Sequence, residues 1–84
     1  MAYNITFKKS VAKDLKRISK QQATRILDKI DTELSRDAEQ FPSLTGPFAG
    51  LRKFRVGDYR VIFAIMDADV LILRVQHRKD VYRG

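Results

Sequence analysis

The chain contains no cysteine, which excludes disulfides and thiolate metal sites and permits a reducing compartment. A single histidine and no cluster of ligand types at metal-site spacing leave no metal or other cofactor to expect. Long apolar runs are also missing. The longest, Val61 to Met66, is far too short to span a bilayer, so no membrane partner is expected. The first residues, Met1 to Phe7, lack a charged segment followed by an apolar one. No secretory signal and a cytoplasmic location are therefore expected. Acids are scarce, 10 Asp and Glu against 17 Lys and Arg, and the net charge of +7 suits an anionic partner, nucleic acid above all.

Apolar residues make up 44% of the 84 positions, enough to argue against disorder and to build one modest core, so residues 1–84 read as a single domain. Cations crowd between Lys8 and Arg25, with Asp14 as the lone acid among them. At amphipathic-helix spacing such a cluster reads as a solvated face. Tyr3, Ile5 and Phe7 alternate with polar residues, as in a short strand. Ser10 is placed to cap the next helix, whose face is Val11, Leu15 and Ile18. Ser19 and Gln22 have capping-box spacing and open a second helix with the stripe Ala23, Ile26, Leu27, Ile30 and Leu34. Phe41 to Gly50 holds both prolines and reads as a loop. Strands over about Leu51–Val56, Tyr59–Met66 and Val70–Arg78 complete an α+β fold: an N-terminal strand and a helical hairpin packed on a mainly antiparallel four-stranded sheet.

The run Lys53-Phe54-Arg55-Val56-Gly57-Asp58-Tyr59-Arg60 is a hairpin around a Gly57-Asp58 turn. Its register sets Arg55 opposite Arg60, about 5 Å apart at Cβ, and like charges so placed destabilise a sheet. Lys53 shares their face. Three cations without an acid are costly unless an anion binds, and a phosphate backbone is the leading candidate. Parity, with a three-residue second loop, puts Phe54, Val56, Tyr59, Val61, Phe63, Ile65, Leu71, Leu73 and Val75 toward the helices. Lys53, Arg55, Arg60, Arg74, Gln76 and Arg78 then gather on the far face, with Ala64, Met66 and Val70 beyond them. The same parity turns His77 to the helix side. Tyr82 either stacks a base beside the cations or packs on the sheet edge.

LRKFRVGDYRVIF (Leu51–Phe63) resembles the LxRxRVGDYRVIY stretch of the RelE/ParE superfamily of bacterial and archaeal toxins. HRKDVYR (His77–Arg83) resembles that family's C-terminal HRxDVYR. The resemblance covers nearly the whole chain. It implies a RelE-like, microbial-RNase-like fold and a toxin of a type II toxin–antitoxin system, an mRNA interferase cutting message in the ribosomal A site. It carries basic strand positions onto Lys53 and Arg55, the turn-motif arginine onto Arg60, a later arginine onto Arg78 and a terminal tyrosine onto Tyr82. It also implies a RelB-like antitoxin, ribosome and mRNA as partners, with operator DNA reached only through the antitoxin complex. Arg55 stands where some ribonuclease members carry lysine. Arginine does not give up its proton, so position 55 suits phosphate clamping rather than base chemistry.

Cleavage by the RNA's own 2′-hydroxyl needs that hydroxyl deprotonated, the extra charge on phosphorus stabilised and the leaving 5′ oxygen protonated. Arg55, Arg60 and Arg78 are candidates for the second task. Lys53 is the candidate base, since an ammonium crowded by other cations gives up its proton more readily. Arg78 is the acid by resemblance, although a guanidinium is a poor proton donor. Two other readings stay open: a ParE-like toxin that inhibits DNA gyrase without catalysis, and an inactive basic nucleic-acid-binding relative.

Overall fold

A computed structural model of the chain describes residues 2–44, 46 and 50–81. Strand β1 (Asn4–Phe7) leads into helices α1 (Lys9–Lys16) and α2 (Lys20–Lys29). A π-helical turn (Ile30–Leu34), a last α-helical turn α3 (Ser35–Asp37) and a 3₁₀ turn (Ala38–Gln40) prolong α2. Strands β2 (Arg52–Val56), β3 (Tyr59–Met66) and β4 (Asp69–His77) follow, then a short helix α4 (Arg78–Val81). The sheet runs β1-β4-β3-β2, with β1 parallel to β4 and every other pair antiparallel. This is the α+β arrangement the sequence predicts. Among the described residues no helix is long and apolar enough to cross a membrane.

The helices cover one sheet face. Val11 of α1 and Ile26, Ile30, Leu34 and Ala38 of the longer rod meet Phe54, Val61, Phe63 and Ile72 in a single buried cluster. Each such side chain contributes about 1.5–3 kcal/mol. The rod's buried positions recur every four residues, whereas an α-helix turns once in about 3.6 residues, so a strict repeat of four drifts around it. The wider π turn at Ile30–Leu34 takes up that drift and keeps the row against the sheet. Leu27, expected in the stripe, lies beside this row and is 36% exposed. Ser19 caps α2 as expected, accepting a hydrogen bond from the Gln22 N–H at 3.3 Å. Ser10 does not cap α1. It lies inside the helix, and its Oγ donates to the Leu73 carbonyl at 2.8 Å.

That bond belongs to a larger seam. Where β1 ends, α1 takes over the open edge of β4. The Lys8 N–H bonds to the Ile72 carbonyl at 2.9 Å, and the Val75 N–H donates to Asp14 Oδ2 at 2.9 Å. Asp14 is 8% exposed and also receives Arg74 Nε at 2.9 Å and a second guanidinium nitrogen at 3.1 Å. The lone acid of the first basic cluster thus fastens the helix to the sheet.

Two features of β4 depart from the parity reading, and they offset each other. The second loop has two residues, not three, so Met66 pairs with Asp69 and Val70 with Ile65. Asp67 takes φ +57 there, a conformation Asp tolerates. One extra residue, Leu73, is then inserted as a bulge, between the pairs Phe63–Ile72 and Ile62–Arg74. Beyond the bulge the expected register returns, with Arg60 opposite Gln76. Before it the faces are exchanged. Val70 and Ile72 are the buried residues, in place of Leu71 and Leu73. The strand ends at His77, and Arg78 begins α4 instead of extending the sheet.

Candidate functional site

The β2–β3 hairpin builds the site. Gly57 opens its two-residue loop with φ +59, a value glycine adopts without a Cβ clash. The loop sets Arg55 directly opposite Arg60, and Lys53 opposite Ile62. Alternation then leaves Phe54 and Val56 buried in the core while Lys53, Arg55 and Arg60 stay at least partly exposed. Among the described residues these three cations form no ion pair with a carboxylate. The facing arginines cost the sheet about 0.2–1 kcal/mol, which the packed reverse face absorbs.

The three cations line a cleft of about 460 Å³ whose other walls are Glu33, Phe41, Pro42 and Phe54. Arg52 positions that second wall. Its guanidinium donates to the carbonyls of Glu39 at 3.1 Å and Phe41 at 2.6 Å, tying the end of the helical rod to β2. The Phe41 ring stands edge-on to Phe54 at 4.8 Å and to Phe63 at 6.2 Å. Sequence reasoning misses Glu33, Phe41, Pro42 and Arg52 as parts of one site. The Phe41-Pro42 pair signals only a loop start, and nothing local links Glu33 to a strand twenty residues away.

The remaining candidates part company. Arg74, expected on the cationic face, turns to α1 and is held by Asp14 through two hydrogen bonds. That contact, chiefly the hydrogen bond, raises its pKa further. Arg78 leaves the sheet at the strand end, where its N–H donates to the Asp58 carbonyl at 2.8 Å. Its guanidinium lies 4.0 Å from the Asp58 carboxylate, both groups well exposed, so the pair is weak and easily exchanged. His77 lies opposite Tyr59 on the helix side, as parity predicts, with the rings edge-on at 5.2 Å. Its Nδ1 accepts the Lys79 N–H at 3.2 Å, so it holds the start of α4 rather than facing the cations. Tyr82 lies outside the described residues.

Comparison with known proteins places this arrangement. The family described as "ParE toxin of type II toxin-antitoxin system, parDE" matches residues 5–82. Toxin RelG of Mycobacterium tuberculosis is 31% identical over 86 residues, covering 99% of each chain. The toxin–antitoxin complex RelBE2 from the same organism contains a chain 28% identical, superposing with a TM-score of 0.88 over 93% of each. A chain of the archaeal RelE–RelB complex from Pyrococcus horikoshii is 31% identical, with a TM-score of 0.67 over 93% of this chain and 97% of that one. With a family match over nearly its whole length and the fold of solved RelE-type toxin complexes, this chain belongs to the RelE/ParE superfamily of type II toxin–antitoxin toxins.

Proposed function

We propose that this toxin is a ribosome-dependent endoribonuclease that cuts messenger RNA in the A site. The observation that carries this reading is the convergence of Lys53, Arg55 and Arg60 on one cleft with no carboxylate paired to them among the described residues. In the reaction the 2′-oxygen attacks the adjacent phosphorus and the bond to the 5′ oxygen breaks. A 2′,3′-cyclic phosphate and a 5′-hydroxyl end result. Arg55 and Arg60 hold the phosphoryl oxygens as negative charge builds, a contribution that is often the largest single part of such catalysis. Lys53 takes the 2′-hydroxyl proton. Arg78 and Tyr82 keep the roles the family resemblance implies, a proton to the leaving oxygen and a stacking surface. So small a site has little to position a free strand, so the ribosome supplies the alignment. The protein acts in the cytoplasm, a RelB-like antitoxin restrains it, and operator DNA is reached through that complex. Induction of Arg60→Ala in growing cells tests this. Loss of growth arrest and of message cleavage is expected, and full toxicity of the Arg55→Ala/Arg60→Ala double variant would refute the reading.

A second reading is favoured by the ParE description of the matching family and by the carboxylate partners of Arg74 and Arg78. It makes the protein a non-catalytic inhibitor of DNA gyrase. Blocked supercoiling with translation intact after induction would select it, whereas intact supercoiling with stalled translation would exclude it.

A further inference from the structure

The cationic cleft has an acid in it. Glu33 lines the same cavity as Lys53, Arg55 and Arg60, yet it forms no ion pair with any of them. Its one ion pair among the described residues is with Lys29, at 3.9 Å and exposed, a contact worth little. Among the described residues, then, the carboxylate has room to accept further donors. In a site built only for phosphate, such a group is a defect, because it repels the anion. A ligand that is anionic at one end and donates N–H at the other removes the conflict, and a nucleotide is such a ligand. The cavity, about 460 Å³, falls in the range of small-ligand sites. Phe41, steadied edge-on by Phe54 and Phe63, and Pro42 give it an apolar wall.

The backbone narrows the choice of base. Among the described residues the loop covers the outer edge of β2 as far as Lys53, whose N–H bonds to the Pro42 carbonyl at 3.2 Å. Strand alternation turns the Arg55 N–H, two residues on, to that same edge just past the cover. One carboxylate accepts two parallel N–H donors, and a nearby backbone N–H meets a carbonyl. Guanine offers that complement along one edge: the O6 acceptor, then the N1–H and N2–H donors. Uracil has a single ring N–H between two carbonyls, and adenine and cytosine present only their amino group beside acceptors.

We propose that Glu33, Phe41, Pro42 and the Arg55 N–H form a guanine pocket beside the phosphate clamp, making Glu33 a specificity-determining residue. This inference rests on the reading of Lys53, Arg55 and Arg60 as a phosphate site. Titration of the 84-residue protein, followed by NMR, with inorganic phosphate and the 3′-monophosphates of guanosine, adenosine, cytidine and uridine tests the two separately. The 3′-guanosine nucleotide should bind about tenfold more tightly than the uridine one and shift the Glu33 and Phe41 resonances. Glu33→Gln should erase that preference while tightening inorganic phosphate, since a repelling charge is gone. Arg60→Ala should weaken every nucleotide and phosphate alike. Equal affinity for the four nucleotides, or a guanine preference that survives Glu33→Gln, would overturn the pocket and leave the clamp standing. Failure of phosphate and all nucleotides to bind would overturn both.

Discussion

Arg60 and Arg74 sit on neighbouring strands, two positions apart in the sheet register, and live under opposite conditions. Arg74 spends its guanidinium on Asp14, which also holds the Val75 N–H. Arg60 faces Arg55, lines an open cleft and forms no ion pair among the described residues. The contrast teaches how to sort cations in a basic protein. An arginine whose donors are consumed by a buried acid holds the fold, and one set against its own kind is available to an anion.

The largest test of that contrast is Arg60→Ala. Cleavage of translated message should fall about 10²- to 10³-fold, as when one preorganised charge contact is removed. The melting temperature should hold or rise. A stability loss equal to the activity loss would mean that Arg60 supports the fold like Arg74. Next comes Asp14→Ala. It leaves the Val75 N–H and the Arg74 guanidinium without their partner and should cost about 1–3 kcal/mol of stability in denaturant unfolding, with cleavage per folded molecule retained. The effect stays near that range because Arg74 is 48% exposed and water can serve it. Smaller again, Arg55→Thr removes the facing charges and should stabilise the hairpin by about 0.2–1 kcal/mol, while activity drops. A destabilised Arg55→Thr protein would show that the arginine pair is not frustrated. The smallest effect belongs to Asp58→Asn. The exposed pair with Arg78 at 4.0 Å contributes at most about 1 kcal/mol, so unfolding midpoints should barely move. A large shift would make Arg78 a structural residue.

Much of the fold is legible along the chain because it depends on near neighbours. Ser19 and Gln22 mark the start of α2, and Gly57-Asp58 sets the register that opposes Arg55 and Arg60. The second hairpin is less legible. Nothing in Asp67-Ala68-Asp69 says whether two or three residues turn, because Asp, unlike most residues, tolerates a positive φ as a single turn residue. Nor does the run Val70 to Leu73 say which alternate residues are buried, since all four are apolar and either phase suits a core. The bulge at Leu73 settles it, and it arises where the edge of β4 passes from β1 to the side chains of α1. Of the site, Lys53, Arg55 and Arg60 are visible in sequence because one hairpin carries them. Glu33, Phe41 and Arg52 are not, because the end of a helical rod and a strand edge bring them together.

By itself, then, the order of residues determined the four strands and the two main helices, the apolar face of the first hairpin and the crowding of its cations, all consequences of alternation and turn chemistry within a few residues. Only the tertiary structure decided which arginines are neutralised and which stay open. That choice depends on where a single buried carboxylate, Asp14, lands when α1 docks along β4, and on the charges it leaves uncompensated across the sheet. Distances of this kind are set by packing between elements far apart in the chain, and no local pattern encodes them.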